Sequence, residues 1–219
     1  MRIEEAHRTL RSAHPYFARF YGSDAGLDWG VGLIARGLAY PVFDRSEGEF
    51  SVVTGWAYVV SHECDIDPAN DRPFNEAVLI CPIIPLETVL SRYLSAKSPE
   101  KIRSFLIALG RREVDRAVYI PTIADNLPYG GVLYLNALTH TDVKELSLVG
   151  VERCCAVSAF GLRYLDAALH NALLKRPKAQ RLPLSDLISE DSQTDTSDLK
   201  EAFRVMLREI WKVALRLKI

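Results

Sequence analysis

The densest group of reactive side chains in the sequence is the run Ser61-His62-Glu63-Cys64-Asp65-Ile66-Asp67, which directly follows an apolar segment. Polar groups at the point where a buried strand gives way to a loop are typical of sites held by a rigid scaffold. A cysteine beside a histidine base suits nucleophilic catalysis, whereas histidine, cysteine and carboxylate groups together suit a zinc site. A third interpretation is structural, with Asp65 or Asp67 hydrogen-bonded to the turn that follows. The segment alone leaves all three open.

Strand periodicity predicts how these side chains are arranged. If the strand continues through the segment, His62 and Cys64 share one face, and the neighbouring carboxylates share the other. A zinc site needs further ligands, for which His140 and the adjacent Cys154-Cys155 pair are the candidates elsewhere in the sequence. A complete ligand set is not evident, and we predict neither a metal ion nor a cofactor.

A second polar cluster, Leu138-Thr139-His140-Thr141-Asp142, follows a predicted strand. Threonine and histidine at such a junction can position a phosphate or polarise a hydroxyl group. The same composition is typical of a turn rich in threonine and aspartate, which is the interpretation that we favour.

The overall charge argues against a protein that collects nucleic acid from a distance. Lys and Arg number 27 against 28 Asp and Glu, for a net charge of -1, so any nucleic-acid site has to be local. Neither G-x-G-x-x-G nor G-K-[ST] spacing occurs, which disfavours a nucleotide-dependent enzyme. The sequence has no apolar run near the ~20 residues of a membrane helix, and its start does not have the pattern of a signal peptide. We expect a cytoplasmic protein with no membrane partner.

Apolar periodicity predicts an α+β fold with a small, barrel-like antiparallel sheet. Glycines at 30, 32 and 37 favour a bent strand over a helix in the run that contains them. Ser98-Pro99-Glu100 has the composition of a helix start. The predicted helical regions are 3–21, 86–117 and 158–175, and the predicted strands are 29–43, 50–60, 77–84, 118–122, 131–138 and 154–157.

These elements predict four regions along the chain. An N-terminal helical region covers 1–24, and a barrel-like core covers 25–176 with a helical insertion at 86–117. A polar, acidic linker covers 177–197, and an amphipathic helix covers 198–219. The last helix is basic on its outer side, which suits a phosphate backbone or a partner groove. We favour the simpler interpretation that it docks on the core with its Lys and Arg side chains in water.

The order of four segments along the chain matches that of a known family. The segments are Trp56–Ser61, Ala77–Ile83, Gly131–Asp142 and Val157–Leu169. They resemble, in turn, the RPALVLS, VVVCPIT and VVLxDQIRTVD strands and the LSxxxxxxVDxAL helix of MazF/PemK/Kid-type toxins. The resemblance covers 27–85 and 118–174. It implies a small SH3-like barrel with a terminal helix, commonly a homodimer, in a family of metal-independent endoribonucleases.

The residues that matter most in that family are replaced here. The family uses an Arg to stabilise charge on the scissile phosphate and a Thr or Ser to assist, while the RNA 2′-hydroxyl is the nucleophile. The family's Arg-Pro falls on Gly55-Trp56, and its Thr-Ser falls on Ile84-Pro85. Placing the Arg-Pro on Arg72-Pro73 instead shortens the spacing to the next strand. The resemblance therefore implies a fold that is kept with a reaction that is altered or lost.

Two functional hypotheses follow, and a third is weaker. The first is a diverged MazF/PemK-like toxin or antiviral-defence protein that binds or cleaves single-stranded RNA and has an antitoxin or another protein as partner. The second is a catalytically inert module that docks a partner through its added helices. The third is a metal-dependent hydrolase that uses His62, Cys64 and Asp65. The predicted catalytic residues are His62, Cys64, Asp65 and Thr141, and the predicted substrate-binding residues are Ser61, Asp67, Arg72 and His140.

Overall fold

The described chain combines one antiparallel sheet with several helices, an α+β arrangement that the apolar pattern predicts. A computed structural model describes residues 1–14, 17–22, 27–44, 48–67, 69–70 and 76–173. The helices are α1 (Ile3–Ala13), α2 (Glu63–Ile66), α3 (Leu86–Thr88), α4 (Pro99–Gly110) and α5 (Ala159–Leu173). The strands are β1 (Leu33–Asp44), β2 (Glu49–Val59), β3 (Ala77–Pro85), β4 (Ala117–Ile120), β5 (Gly131–Tyr134), β6 (Thr139–Asp142) and β7 (Glu152–Ala156). Single turns of 3-10 or π helix lie at Phe17–Arg19, Val89–Tyr93, Leu135–Ala137 and Val143–Ser147.

The strands pair in the order β4-β5-β3-β2-β1-β7, and β6 also pairs with β3. Every pairing is antiparallel. One edge of β3 pairs with β2, while its other edge pairs first with β6 and then with β5. An α+β fold with an antiparallel sheet is therefore confirmed. The hydrogen-bonded ladder of the described strands stays open, so the SH3-like barrel is not confirmed.

Strand β6 nevertheless approaches β1 through two side chains. The Thr139 hydroxyl donates to the carbonyl oxygen of Pro41 over 3.2 Å, and the Thr141 hydroxyl donates to that of Ala39 over 2.7 Å. We call this pair of contacts the threonine seam. It lies beside a core formed by Leu33, Ala35, Leu38, Tyr40, Ala57, Val59, Ile66, Val78, Ile80 and Leu146.

A bend in β1 separates its contacts with β7 from those with β6. The strand pairs with β7 over Leu33–Arg36, and its register with β2 shifts between Ala35 and Leu38. Gly37 lies within that shift with a φ of +79°. This left-handed conformation favours glycine, and a Cβ there would overlap the carbonyl oxygen of Gly150. The predicted bend is confirmed, although the strand begins at Leu33 rather than at 29.

A second core joins α1 and α4 to the β4–β5 end of the sheet. Its buried residues are Ala6, Leu10, Leu86, Val89, Ile102, Leu106, Leu109, Ala117, Tyr119 and Val132. The Ser98 hydroxyl oxygen accepts a hydrogen bond from the Lys101 amide over 3.4 Å, and Pro99 occupies the first turn of α4. The predicted start of this helix is confirmed.

Helix α5 carries a half-buried carboxyl group, that of Asp166. Burial raises the pKa of Asp166 to about 6. The nearby Tyr58 is fully buried, and its hydroxyl has no hydrogen-bond partner among the described residues. Burial, and to a smaller extent the Asp166 charge, raises the pKa of Tyr58 well above its usual value. Asp166 of α5 and Tyr58 of β2 are therefore shielded from water at a cost in stability.

Several predicted boundaries differ from the structure. Helix α1 ends at Ala13 rather than 21, and the predicted helical region 86–117 consists of α3, a π turn and α4. The predicted strand 131–138 ends at Tyr134, and the favoured turn at 139–142 is the strand β6, because β3 supplies a free edge for pairing. The predicted linker 177–197 and helix 198–219 lie outside the described residues. No helix in the described part of the chain has the length and apolar character needed to cross a membrane.

Candidate functional site

Ser61 anchors the end of β2 to β3. Its amide donates to the Leu79 carbonyl oxygen over 3.2 Å, and its hydroxyl oxygen accepts from the Leu79 amide over 2.8 Å. This predicted substrate-binding residue therefore continues the β2–β3 ladder by one side-chain hydrogen bond. The reactive segment begins directly after it.

His62 turns the chain into α2. Its backbone is extended, and its Nδ1 accepts a hydrogen bond from the Cys64 amide over 3.2 Å, so it caps the helix. Asp67 ends the helix in an extended conformation, which the following Pro68 favours. The expected alternation of His62 and Cys64 against the carboxylates is wrong, because the segment is a helical turn rather than a strand.

The His62 and Glu63 side chains form a close pair at the surface. His62 Nε2 lies 3.1 Å from Glu63 Oε1, with 41% and 58% of the two side chains exposed. Because Nδ1 accepts from the Cys64 amide, the neutral imidazole carries its proton on Nε2 and donates it to Glu63. Neutral His62 then has no ring lone pair free for a substrate. In this geometry the free carboxylate oxygen of Glu63 is the available base of the pair.

Gly30 sets the position of Glu63. A Cβ on Gly30 would lie 3.1 Å from the Glu63 Cβ and 3.2 Å from its Oε2. The Gly30 segment is held in turn, since the Gly32 amide donates to the Val59 carbonyl oxygen over 3.2 Å. A side chain at position 30 would thus push the carboxylate away from its present position.

Cys64 extends the pair to three potential metal ligands. It is a free, half-buried cysteine, and the donor atoms of His62, Glu63 and Cys64 all lie within 4.8 Å of one another. Nitrogen, oxygen and sulfur donors of this kind suit zinc, which also takes three protein ligands in catalytic sites. The structure thus brings Glu63 into the cluster, whereas the metal hypothesis used Asp65.

The remaining acidic residues of this segment shape the next turn. Asp67 Oδ1 accepts from the Ala69 amide over 2.9 Å, and the Asn70 side-chain amide donates to the Cys64 carbonyl oxygen over 3.1 Å. The predicted hydrogen bond between Asp67 and the turn that follows it is therefore confirmed. Asp65 is half-buried, and its amide donates to the His62 carbonyl oxygen over 2.9 Å.

The second predicted cluster lies on the far side of β3. Thr141 is 2% exposed, and its hydroxyl donates to the Ala39 carbonyl oxygen in the threonine seam. His140 is exposed and pairs with Leu79, the residue that Ser61 contacts from the opposite edge of β3. Two strand spacings of about 4.8 Å place His140 about 10 Å from Ser61. The predicted site residues thus form two groups rather than one, and Arg72 lies outside the described residues.

Glu63 is the residue that the predicted site left out. It lies inside the run Ser61–Asp67. The proline at 68 makes a continuing strand unfavourable, and this signal could have indicated a turn that brings Glu63 beside His62. From Ser61 through Asp71 the chain carries no Lys or Arg. The local charge is therefore negative whenever its carboxylates are ionised.

A second surface stands out on the β1–β2 hairpin. Beyond the core, this hairpin exposes large apolar side chains on both strands, and we call residues 38–44 and 49–55 the distal ribbon. Phe50 and Val52 are 73% and 74% exposed, and the Phe43 and Phe50 rings lie 5.2 Å apart. The other exposed members are Val42 and Val53. Apolar surface collected in this way is typical of an interaction site.

Comparisons with known proteins identify no relative of this chain. No protein-family model matches the sequence, no curated protein matches it, and no solved structure matches the fold.

Proposed function

We propose that this protein is an interaction module that binds another protein through the distal ribbon. The observation that carries the proposal is the exposure of Phe50 and Val52, together with Phe43, on one hairpin. Leaving such side chains in water is unfavourable by about 25 cal/mol per Å² of apolar surface, and a partner that covers them removes this cost. The docking surface that we propose is therefore the hairpin rather than the added helices.

The ribbon favours a partner in extended conformation. Strand β2 pairs with β3 only over Trp56–Val59, so in the described part of the chain its outer edge is unpaired from 49 to 55. A free edge offers backbone amide and carbonyl groups to an added strand, while alternate side chains provide specificity. The partner chemistry is therefore an apolar β-strand.

Site-specific photocrosslinking in cells tests this function. A benzophenone side chain at Val52 should give a discrete crosslinked species, because a bound strand covers that position. The control is the same probe at Val149, which is 106% exposed and is not a residue of the ribbon. Crosslinks at Val52 that disappear when Phe50 is changed to Ser support the proposal. Equal crosslinking at both positions, or none at Val52, would contradict it.

A second candidate function is the binding or cleavage of single-stranded RNA by a MazF/PemK-like barrel. The His62–Glu63 pair favours it, since two adjacent acid–base groups at 3.1 Å can move a proton from one atom to another. The threonine seam supports an SH3-like closure of β6 onto β1. A toxin or defence role and an antitoxin partner belong to this candidate through the family resemblance alone.

The chemistry assigns a role to each group in that candidate. Glu63 accepts the proton of the RNA 2′-hydroxyl, whose oxygen attacks the adjacent phosphorus, and the 5′-oxygen leaves with a proton supplied by water or an acidic side chain. Ser61–Asp71 contains no Lys or Arg, so the cation that neutralises the phosphate must come from outside that segment. Arg72 is the next residue along the chain.

RNA cleavage by the purified protein tests this candidate. Products resolved on a denaturing gel should persist in chelator and be lost in Glu63→Gln and His62→Ala. The matched control is His140→Ala, which changes an exposed histidine about 10 Å away and should cleave normally. Absence of cleavage and of RNA binding by the unaltered protein would rule the candidate out.

A further inference from the structure

We propose that the strand added to the distal ribbon is the same strand of a second copy of this chain. The two β2 edges would pair antiparallel about a two-fold axis at Val52 and join two sheets into one. This inference rests on the proposed interaction function and names its partner. It concerns the edge of β2 from Glu49 to Gly55.

Apart from Glu49 at its outer end, this edge does not have the features that usually prevent strands from joining. From Phe50 to Ser61 the sequence contains neither a charged residue nor a proline, and β1 opposite it is uncharged from Leu38 to Phe43. Natural sheet edges commonly carry lysine, proline or a bulge that blocks pairing. The register shift of this hairpin lies at its base, between Ala35 and Leu38, and leaves the distal edge regular.

Self-pairing requires that a strand tolerate its own side chains in reverse order. The free segment 49–55 overlaps fully with its copy when the axis passes through its midpoint, Val52. In that register Glu49 lies opposite Gly55 of the second copy, so the two Glu49 carboxylates are kept apart. Phe50 lies opposite Thr54 of the second copy, and neither contact places like charges together. The charge pattern thus permits a two-fold, closed interface.

Side-chain burial would add to the backbone pairing. Phe50 and Val52 share a face of the ribbon with Phe43, which pairs directly with Phe50. A second ribbon beside Val52 extends this apolar face across both copies. A standard interface buries about 800 Å² per partner, and seven-residue edges bury less than that. The dimer should therefore be reversible and depend on protein concentration.

Sedimentation equilibrium on the purified full chain tests the inference. The mean mass should rise from 24.6 kDa toward twice that value as concentration increases through the micromolar range. Val52→Lys places two ammonium groups opposite each other, and should weaken the dimer at least about tenfold. Val149→Lys adds the same charge on a fully exposed valine outside the ribbon, and should leave the association unchanged. A mass that stays monomeric at all concentrations would overturn the inference.

A cysteine crosslink tests the register. Val52→Cys should give a disulfide-linked dimer under mild oxidation, since the axis brings the two introduced thiols together, whereas Val149→Cys should not. A dimer that forms without the Val52→Cys crosslink would overturn this interface. Photocrosslinks from Val52 to other proteins in cells, combined with a monomeric purified chain, would retain the interaction function and remove self-pairing. Absence of both would remove the two together.

Discussion

The two halves of β2 have the same kind of side chains and opposite surroundings. The inner half, Trp56–Val59, pairs with β1 and β3, and Ala57 and Val59 are fully buried. The outer half pairs with β1 alone, and Phe50 and Val52 lie largely in water. Apart from Glu49 at the start of the strand, both halves are uncharged and rich in aromatic and β-branched residues. Burial in this strand is therefore decided by the number of flanking strands rather than by side-chain type.

The bend at Gly37 marks the boundary between the halves, and breaking it should have the largest effect. Gly37→Ala forces a left-handed φ on alanine and drives its Cβ into the Gly150 carbonyl oxygen. We expect a loss of at least about 3 kcal/mol in the free energy of unfolding, measured by urea denaturation.

Gly48→Ala is the matched control for that change. Gly48 has a similar φ of +72°, but a Cβ there meets no atom within 4 Å. Its cost should be about 1 kcal/mol, from the backbone conformation alone. Equal losses for the two variants would show that the Gly37–Gly150 contact does not hold the bend.

Two valines of β2 give the most direct test of the comparison. Val59→Ala removes two methyl groups from a fully buried position and should cost about 2–3 kcal/mol, from lost transfer energy and a residual cavity. Val52→Ala removes the same atoms from a position that is 74% exposed, and should change the stability of dilute protein by less than about 0.5 kcal/mol. A large cost at Val52 would mean that the distal ribbon is covered in the monomer.

The half-buried carboxyl group of Asp166, near Tyr58, makes the stability of the protein depend on pH. The folded pKa of Asp166, about 6, lies above that of an unfolded aspartate, so the folded state binds more protons and is relatively stabilised as pH falls through 6. Between pH 7.5 and 4 the native protein should gain about 2 kcal/mol relative to Asp166→Asn. Urea titrations of both proteins at each pH check this. Burial lowers the pKa of His14 to about 4, so this residue destabilises the folded state as pH falls. Its contribution is the same in both proteins and cancels in the comparison. Parallel pH profiles would count against a buried, ionisable Asp166.

Much of the fold could be predicted from local sequence. The segment Phe50–Val60 is predicted as a strand and β2 spans Glu49–Val59, since β-branched and aromatic residues dominate it. The start of α4 followed from Ser98 and Pro99. The exposure of the outer half of β2 could not be predicted in this way, because it depends on where β3 ends.

The sequence indicates which types of residue lie in the candidate site, but it does not predict how their side chains are arranged. His62 and Cys64 do come together, through a cap rather than through strand alternation. Glu63 joined them because a helical turn redirects its side chain. Thr141 is a predicted catalytic residue, but its hydroxyl donates to the carbonyl oxygen of Ala39, 102 residues away in sequence. A hydrogen bond between residues so far apart in sequence leaves no local pattern that could predict it.

The threonine seam has an evolutionary consequence. A ladder built from amide groups is available to any non-proline sequence, whereas contact between β6 and β1 is made by the hydroxyls of two particular side chains. Replacing either threonine by valine would keep its shape and remove its bond. The approach of β6 to β1 therefore depends on two side-chain oxygen atoms, and a lineage could lose or regain these contacts one substitution at a time.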